Sequence, residues 1–311
     1  VHQIYASSFK SAEKLGGGEG NLVFTGVTHD PETLQTLRNM GYEQPETVSE
    51  IVMGWHHGSC RSTRTKRARE LLTELMPAIL KRLSETANPD AALLKFHEFL
   101  KNLPAGVQLF SLFSIHPQLL GLIADILGSA PTLAEHLSKS PALLDLVLYD
   151  DFYEPLPAQQ LLAAQLKELL KTAGDYEESM DRLRQFRGEK QFQAGVHFLK
   201  HMIGAAEAGM YLSNLAEVTI ECAVELAMQE FSTKYGKLEG SKFAVLALGK
   251  LGSREMTFSS DIDLVFVYDA PDESTVSDGE KGFSASVYYN RFAQRLLSAI
   301  TLMARDGRLY E

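Results

Sequence analysis

An apolar run, a glycine-punctuated turn and a second apolar run headed by two aspartates constrain this chain more than any other stretch. The segment is Phe243 to Asp269, FAVLALGKLGSREMTFSSDIDLVFVYD. Phe243–Leu248 has strand length, Gly249-Lys250-Leu251-Gly252-Ser253 reads as a turn, and Leu264–Val267 reads as a second strand. Asp261 and Asp263 stand at the head of that second strand. Residues two apart on a strand share a face, so the two carboxylates are expected to converge.

Carboxylates brought together repel unless a cation or a proton lies between them. Mg²⁺ takes oxygen ligands and is commonly held by one or two carboxylates together with substrate phosphates. A Gly-Ser turn ahead of the acidic pair presents backbone amides without a bulky side chain, which suits a phosphate. The candidate metal ligands and catalytic residues are therefore Asp261 and Asp263, with Gly252 and Ser253 as candidate phosphate contacts. This is the layout of two-metal phosphoryl or nucleotidyl transfer. A bare Asp-x-Asp is common on solvated hairpins; the Gly-Ser placed before it is what gives the pattern specificity.

Gly-Ser followed by Asp-x-Asp at the head of an apolar strand resembles the DNA-polymerase-β-like nucleotidyltransferase superfamily. Gly249-Lys250-Leu251-Gly252, Glu255 and Ser260-Asp261-Ile262-Asp263-Leu264-Val265-Phe266 resemble the core block of bacterial glutamine synthetase adenylyltransferases. Members of that family carry two such blocks, one removing AMP from glutamine synthetase and one attaching it. Tyr288-Tyr289-Asn290-Arg291-Phe292-Ala293-Gln294-Arg295 and Leu309-Tyr310-Glu311 are more similar to the C-terminal, adenylylating half. The similarity reaches back to about Arg61. Ser253 departs from the second glycine more usual in the family, and serine is what the wider superfamily uses.

The resemblance implies transfer of AMP from ATP to a tyrosine of glutamine synthetase with two Mg²⁺ ions, in the service of nitrogen regulation. It implies glutamine synthetase and a PII-type signalling protein as partners. It also implies a third carboxylate two residues past the position of Glu311, so that the core in this chain is truncated; Glu311 itself is the alternative third ligand. Two rival functions are the phosphorolytic, adenylyl-removing half and a non-enzymatic docking module for the same partners.

The expected fold is α+β and predominantly helical: a connector over 1–60, a helical bundle over 61–235 and a nucleotidyltransferase core with a small mixed sheet over 236–311. Helical spacing of Leu71, Leu72, Leu75, Ile79 and Leu80, and of Leu93, Leu94, Phe96, Phe99 and Leu100, supports the bundle. Breaks fall at Asn88-Pro89, His116-Pro117, Ala130-Pro131 and Ser140-Pro141. Asp175–Phe231 reads as two long helices broken near Gly204 or Gly209. Phe283–Ala304 reads as an amphipathic helix, Pro271–Gly282 as a mobile loop, Asp306-Gly307 as a turn and Arg308–Glu311 as the start of a third strand. Gly16–Gly20 reads as a linker, and Asp30-Pro31 as a helix start.

Net charge is −10, which disfavours nucleic acid as the acceptor because a phosphate backbone calls for a basic surface. Cys60 and Cys222 cannot build a disulfide framework and fit a reducing cytoplasm. No apolar run approaches the ~18–20 residues of a membrane span. The chain begins with Val1 and reads as a piece of something longer. His56, His57 and Cys60 fall short of a closed zinc site. Arg61, Arg64, Lys66, Arg67 and Arg69 read as a solvated helix face, with an acidic-partner patch as the alternative, and His197 with His201 reads as packing rather than a ligand pair.

Overall fold

Proline sets where many of the early helices begin. Its fixed φ and missing N–H suit the first helical position, and Pro31, Pro45, Pro89, Pro117 and Pro131 each open one. In this computed structural model, residues 22–24, 29–272, 275–304 and 307–311 are described. The glycine run Gly16–Gly20 and Asp306 of the expected turn lie outside the described residues.

The structure is α+β and mostly helical, and divides by packing into two compact units between Val147 and Leu148. The helices expected as one region over 61–235 are thus shared between the units.

The first unit contains α1 (Pro31–Asn39), α2 (Pro45–His56), α3 (Lys66–Ser84), α4 (Pro89–Asn102), α5 (Val107–Ile115), α6 (Pro117–Ser129), α7 (Pro131–Lys139) and the short α8 (Leu143–Leu146). Asp30 caps α1 by accepting from Thr33 N at 2.8 Å, Thr65 caps α3 and Asn88 caps α4. Trp55, Phe96, Phe99, Phe110 and Phe113 are buried at its centre. Two of the candidate zinc residues are taken up by this packing: His56 Nδ1 lies 3.2 Å from Thr73 Oγ1 and Cys60 is buried with its Sγ 3.8 Å from His97 Nδ1, whereas His57 is exposed. Trp55 Nε1 donates to His97 Nδ1 at 2.9 Å, and burial lowers the His56 pKa to about 4. Part of the basic run is structural: Arg69 donates to the carbonyls of Thr63 and Arg64, while Lys66 and Arg67 face Glu70.

No single helix among the described residues is long and apolar enough to cross a membrane. The pair α5–α6 reaches that length and composition only together, across a 113° bend. Its apolar side chains Phe110, Phe113, Ile123 and Leu127 are buried in the unit.

The second unit contains α9 (Gln159–Leu170), α10 (Tyr176–Leu199), α11 (Ala205–Tyr235), β1 (Lys242–Leu248), the four-residue α12 (Gly249–Gly252), β2 (Asp263–Asp269) and α13 (Ala285–Thr301). The break between the long helices falls at Lys200–Gly204, where His201 is left-handed, whereas Gly209 lies inside α11. His197 is buried with its Nε2 2.6 Å from the Phe152 carbonyl, so it is a packed histidine and no ligand partner of His201.

Among the described residues the sheet has two antiparallel strands, not a mixed arrangement. One face packs inward: Phe243 lies face-on to Phe266 at 5.9 Å and edge-on to Phe292 at 4.9 Å, and Tyr268 stacks on Tyr289 at 4.7 Å. Arg308–Glu311 is not a strand. Its contact with the sheet region is one backbone bond, Ile262 N to Glu311 O at 3.2 Å, and a ladder needs successive bonds. Tyr310 anchors the segment, buried with its hydroxyl 3.1 Å from Thr219 Oγ1.

The described part of the expected mobile loop is tied down. Ser277 is buried, its N–H donating to the Phe283 carbonyl and its hydroxyl accepting from Phe283 N. Asp278 bonds both backbone groups of Lys237, at 2.6 and 3.1 Å. Close approach here requires glycine: a Cβ on left-handed Gly236 would collide with Gly279 and Asp278.

Phe292 is fully buried where α11, α13 and β1 meet, edge-on to Phe231 and Phe243. Phe292→Ala is expected to destabilise the second unit by about 3–5 kcal/mol, the usual cost of emptying an aromatic core site. Urea unfolding followed by tryptophan-independent far-UV signal measures it; a loss below about 1 kcal/mol would show that this junction is loosely packed.

Candidate active site

The antiparallel register assembles the site. Leu248, the last residue of β1, lies opposite Asp263, the first residue of β2. The turn that follows β1 therefore emerges beside the carboxylate that heads β2. Contact is direct: a Cβ placed on Gly249 would sit 2.5 Å from Asp263 Oδ2. Gly249 is also left-handed, with φ +54°, so glycine is favoured there on two independent grounds.

Gly252 has a different reason for lacking a side chain. A Cβ there would lie 2.7 Å from the Ala247 carbonyl, so Gly252 lets the turn fold back onto β1. The Ser253 amide donates to Gly249 O at 3.0 Å. That N–H is used inside the turn, and what Ser253 presents outward is its hydroxyl. Among the described residues the hydroxyl makes only long contacts, 3.4 Å to Lys250 O and 3.4 Å to Glu255 Oε2. The exposed side chain of Lys250 on the same turn forms no ion pair among the described residues.

Asp261 and Asp263 are both exposed. Asp261 precedes the strand, since β2 starts at Asp263. Neither carboxylate has a hydrogen-bond or ion-pair partner among the described residues. Acidic side chains left without a protein cation, beside a glycine cradle, form a donor set that fits a hard divalent ion with phosphate. Among the described residues, no group of three His, Cys, Asp or Glu is placed to hold a metal. Glu311 is not drawn in: its carboxylate pairs with Arg308 at 2.9 Å.

The sequence pattern did not single out Arg254. It adopts φ +61°, rare for a side-chain-bearing residue. Its Nη2 lies 2.7 Å from both oxygens of Glu217 on α11, and its Nη1 donates to Asn214 Oδ1 at 3.1 Å. The only sequence signal was adjacency to Ser253; the partner lies 37 residues away.

A glycine-bounded turn against a strand-head carboxylate, with a second carboxylate just before it, is an arrangement suited to handling a nucleotide. Residues 120–311 match the family described as glutamate-ammonia ligase adenylyltransferase, and the chain belongs to that family. Over its whole length it is 44% identical to a bifunctional glutamine synthetase adenylyltransferase/adenylyl-removing enzyme of Mesorhizobium japonicum and 43% identical to one of Brucella melitensis. It is 39% identical to one of Caulobacter vibrioides. The chain spans about a third of the length of these relatives, 32%, 32% and 31% respectively.

Gly249→Ala is expected to cost at least about 1 kcal/mol through the left-handed backbone alone, and to displace Asp263. Gly121→Ala, with nothing within 4 Å of the added carbon and no positive φ, is the control and should be tolerated. Thermal melts of the two variants make the comparison; equal melting temperatures would contradict the assigned close approach.

Proposed function

We propose that this chain belongs to the adenylylating half of a glutamine synthetase adenylyltransferase and that it transfers AMP from ATP to a tyrosine hydroxyl of glutamine synthetase. The observation that carries the reading is the Asp263 carboxylate lodged against Gly249, with Asp261 two residues before it in the chain and no protein cation on either among the described residues. Asp261 and Asp263 would hold Mg²⁺. Bound there, Mg²⁺ would neutralise charge on the triphosphate and favour the ionised phenol, whose unperturbed pKa is ~10.

The chain's own groups have separable tasks. The Ser253 hydroxyl donates to a phosphate oxygen, and Lys250 adds positive charge at the same turn. Gly252 keeps the turn close to β1, which would set both groups near the aspartates. The tyrosine oxygen forms a bond to the α-phosphorus, the bond from that phosphorus to the bridging oxygen breaks, and pyrophosphate leaves. The phenol proton passes to solvent or to a third carboxylate, which the family resemblance puts two residues past the position of Glu311.

The relatives' names join two activities, so the adenylyl-removing direction is the specific alternative. It uses the same carboxylates, with phosphate as the acceptor in place of the phenol. In the longer protein, ATP-dependent AMP incorporation supports the first direction and phosphate-dependent ADP release the second. Glutamine synthetase is the proposed substrate, and a PII-type signalling protein is a proposed regulator. With net charge −10, tight nucleic-acid binding is not expected; submicromolar RNA affinity falling steeply with salt would contradict that.

Asp261→Asn and Asp263→Asn are each expected to reduce AMP transfer by on the order of a hundredfold or more, the scale of losing one electrostatic stabiliser of a transition state. Radiolabelled ATP with glutamine synthetase as acceptor reads this in the longer protein. Wild-type transfer by either variant would remove the carboxylates from the reaction. The chain is expected to bind Mg·ATP.

A further inference from the structure

A short helix that must reverse direction closes with one left-handed residue, and glycine is the residue usually found there. The turn after β1 closes in this way. Arg254 N donates to Leu251 O at 3.1 Å and Glu255 N to Lys250 O at 2.8 Å, with Arg254 left-handed between them. The sequence places arginine where the backbone favours glycine, so the side chain carries the reason.

That side chain reaches one face of α11. Met210, Asn214 and Glu217 recur there at spacings of four and three, so they line up along the helix. Arg254 touches all three: Met210 Sδ at 3.7 Å, Asn214 Oδ1 at 3.1 Å and both Glu217 oxygens at 2.7 Å. Glu217 is itself braced by Gln159 Nε2 at 2.8 Å. The Arg254 and Glu217 side chains are 41% and 31% exposed, and ion pairs so open to water add little to folding stability. What the contact does is fix place.

We propose that Arg254 is a positioning residue: clamped to Glu217, it holds the Gly249–Ser253 turn against α11, so that Lys250 and Ser253 meet a nucleotide triphosphate in a fixed geometry. The inference rests on the nucleotide reading of the turn given above. It assigns Arg254 no contact with substrate. The turn is covalently tied to β1 on one side, and the clamp ties its other end, which Met256 N supports by donating to Ser213 Oγ at 3.4 Å.

The test separates position from stability. Arg254→Gly removes the clamp but relieves the left-handed backbone, so its melting temperature is expected to stay level or rise. Its affinity for Mg·ATP should fall about five- to tenfold, with faster amide exchange over residues 250–255. Glu217→Gln, which leaves the backbone of the turn untouched, should weaken nucleotide affinity in the same direction, and Arg254→Lys should recover part of it. The double variant Arg254→Gly, Glu217→Gln should be no worse than Arg254→Gly, because both act through one contact.

If the wild-type protein binds no Mg·ATP, the nucleotide reading fails; amide exchange then still reports whether the clamp orders the turn. If the wild type binds and both variants bind equally well with unchanged exchange at 250–255, the nucleotide reading survives and the positioning role is overturned. Loss of affinity that only parallels a lowered melting temperature in both variants would equally overturn it.

Discussion

The pairing of Leu248 with Asp263 is the constraint on which the site depends. Side chains alternate across a strand, so a slip of one residue would send Asp263 inward and an apolar neighbour outward. The register is held by what the inner face must bury. Phe243 faces Phe292 and Tyr289 of α13 and Phe266 stacks on Phe243, and moving the two phenylalanines to solvent would expose large aromatic side chains. Aromatic burial in the second unit thus decides where a carboxylate stands on its surface.

The turn between the strands then has little freedom. Gly249 passes Asp263 without a side chain, Gly252 touches the carbonyl of Ala247, and Arg254 is fastened to α11. Each is a different solution to one problem, that of bringing backbone close to an acidic strand head. The long helix α11 serves as the common support: its Met210–Glu217 face holds the turn, its end at Gly236 meets the loop around Asp278, and Thr219 meets the Tyr310 hydroxyl.

Much of this was legible in the sequence, and the limits have physical causes. Proline-led helix starts and the two apolar runs of strand length depend on neighbours along the chain, so individual helices and both strands could be read directly, while the antiparallel pairing of the strands and the division of the helices into two units could not. The family could be read from the Gly-Lys-Leu-Gly and Asp-Ile-Asp block, and residues 120–311 match it. Long-range packing was not legible. Pro271–Gly282 looks like a mobile loop by composition, yet Ser277 is buried and Asp278 is bonded to Lys237. Arg308–Glu311 has strand-like chemistry, but a strand is defined by its partner, and one bond to Ile262 does not make a ladder. Arg254 escaped notice because left-handed backbone at an arginine, and a partner on another helix, leave no local pattern.

The central claim is that Asp261 and Asp263 jointly hold a divalent ion next to the turn at Gly249–Ser253. Anomalous diffraction from crystals grown with Mn²⁺ and a non-hydrolysable ATP analogue tests it most directly. The account predicts a manganese peak coordinated by both carboxylates, with the triphosphate lying along Lys250 and Ser253. Manganese bound elsewhere, with the two aspartates left in solvent and the nucleotide away from the turn, would contradict it.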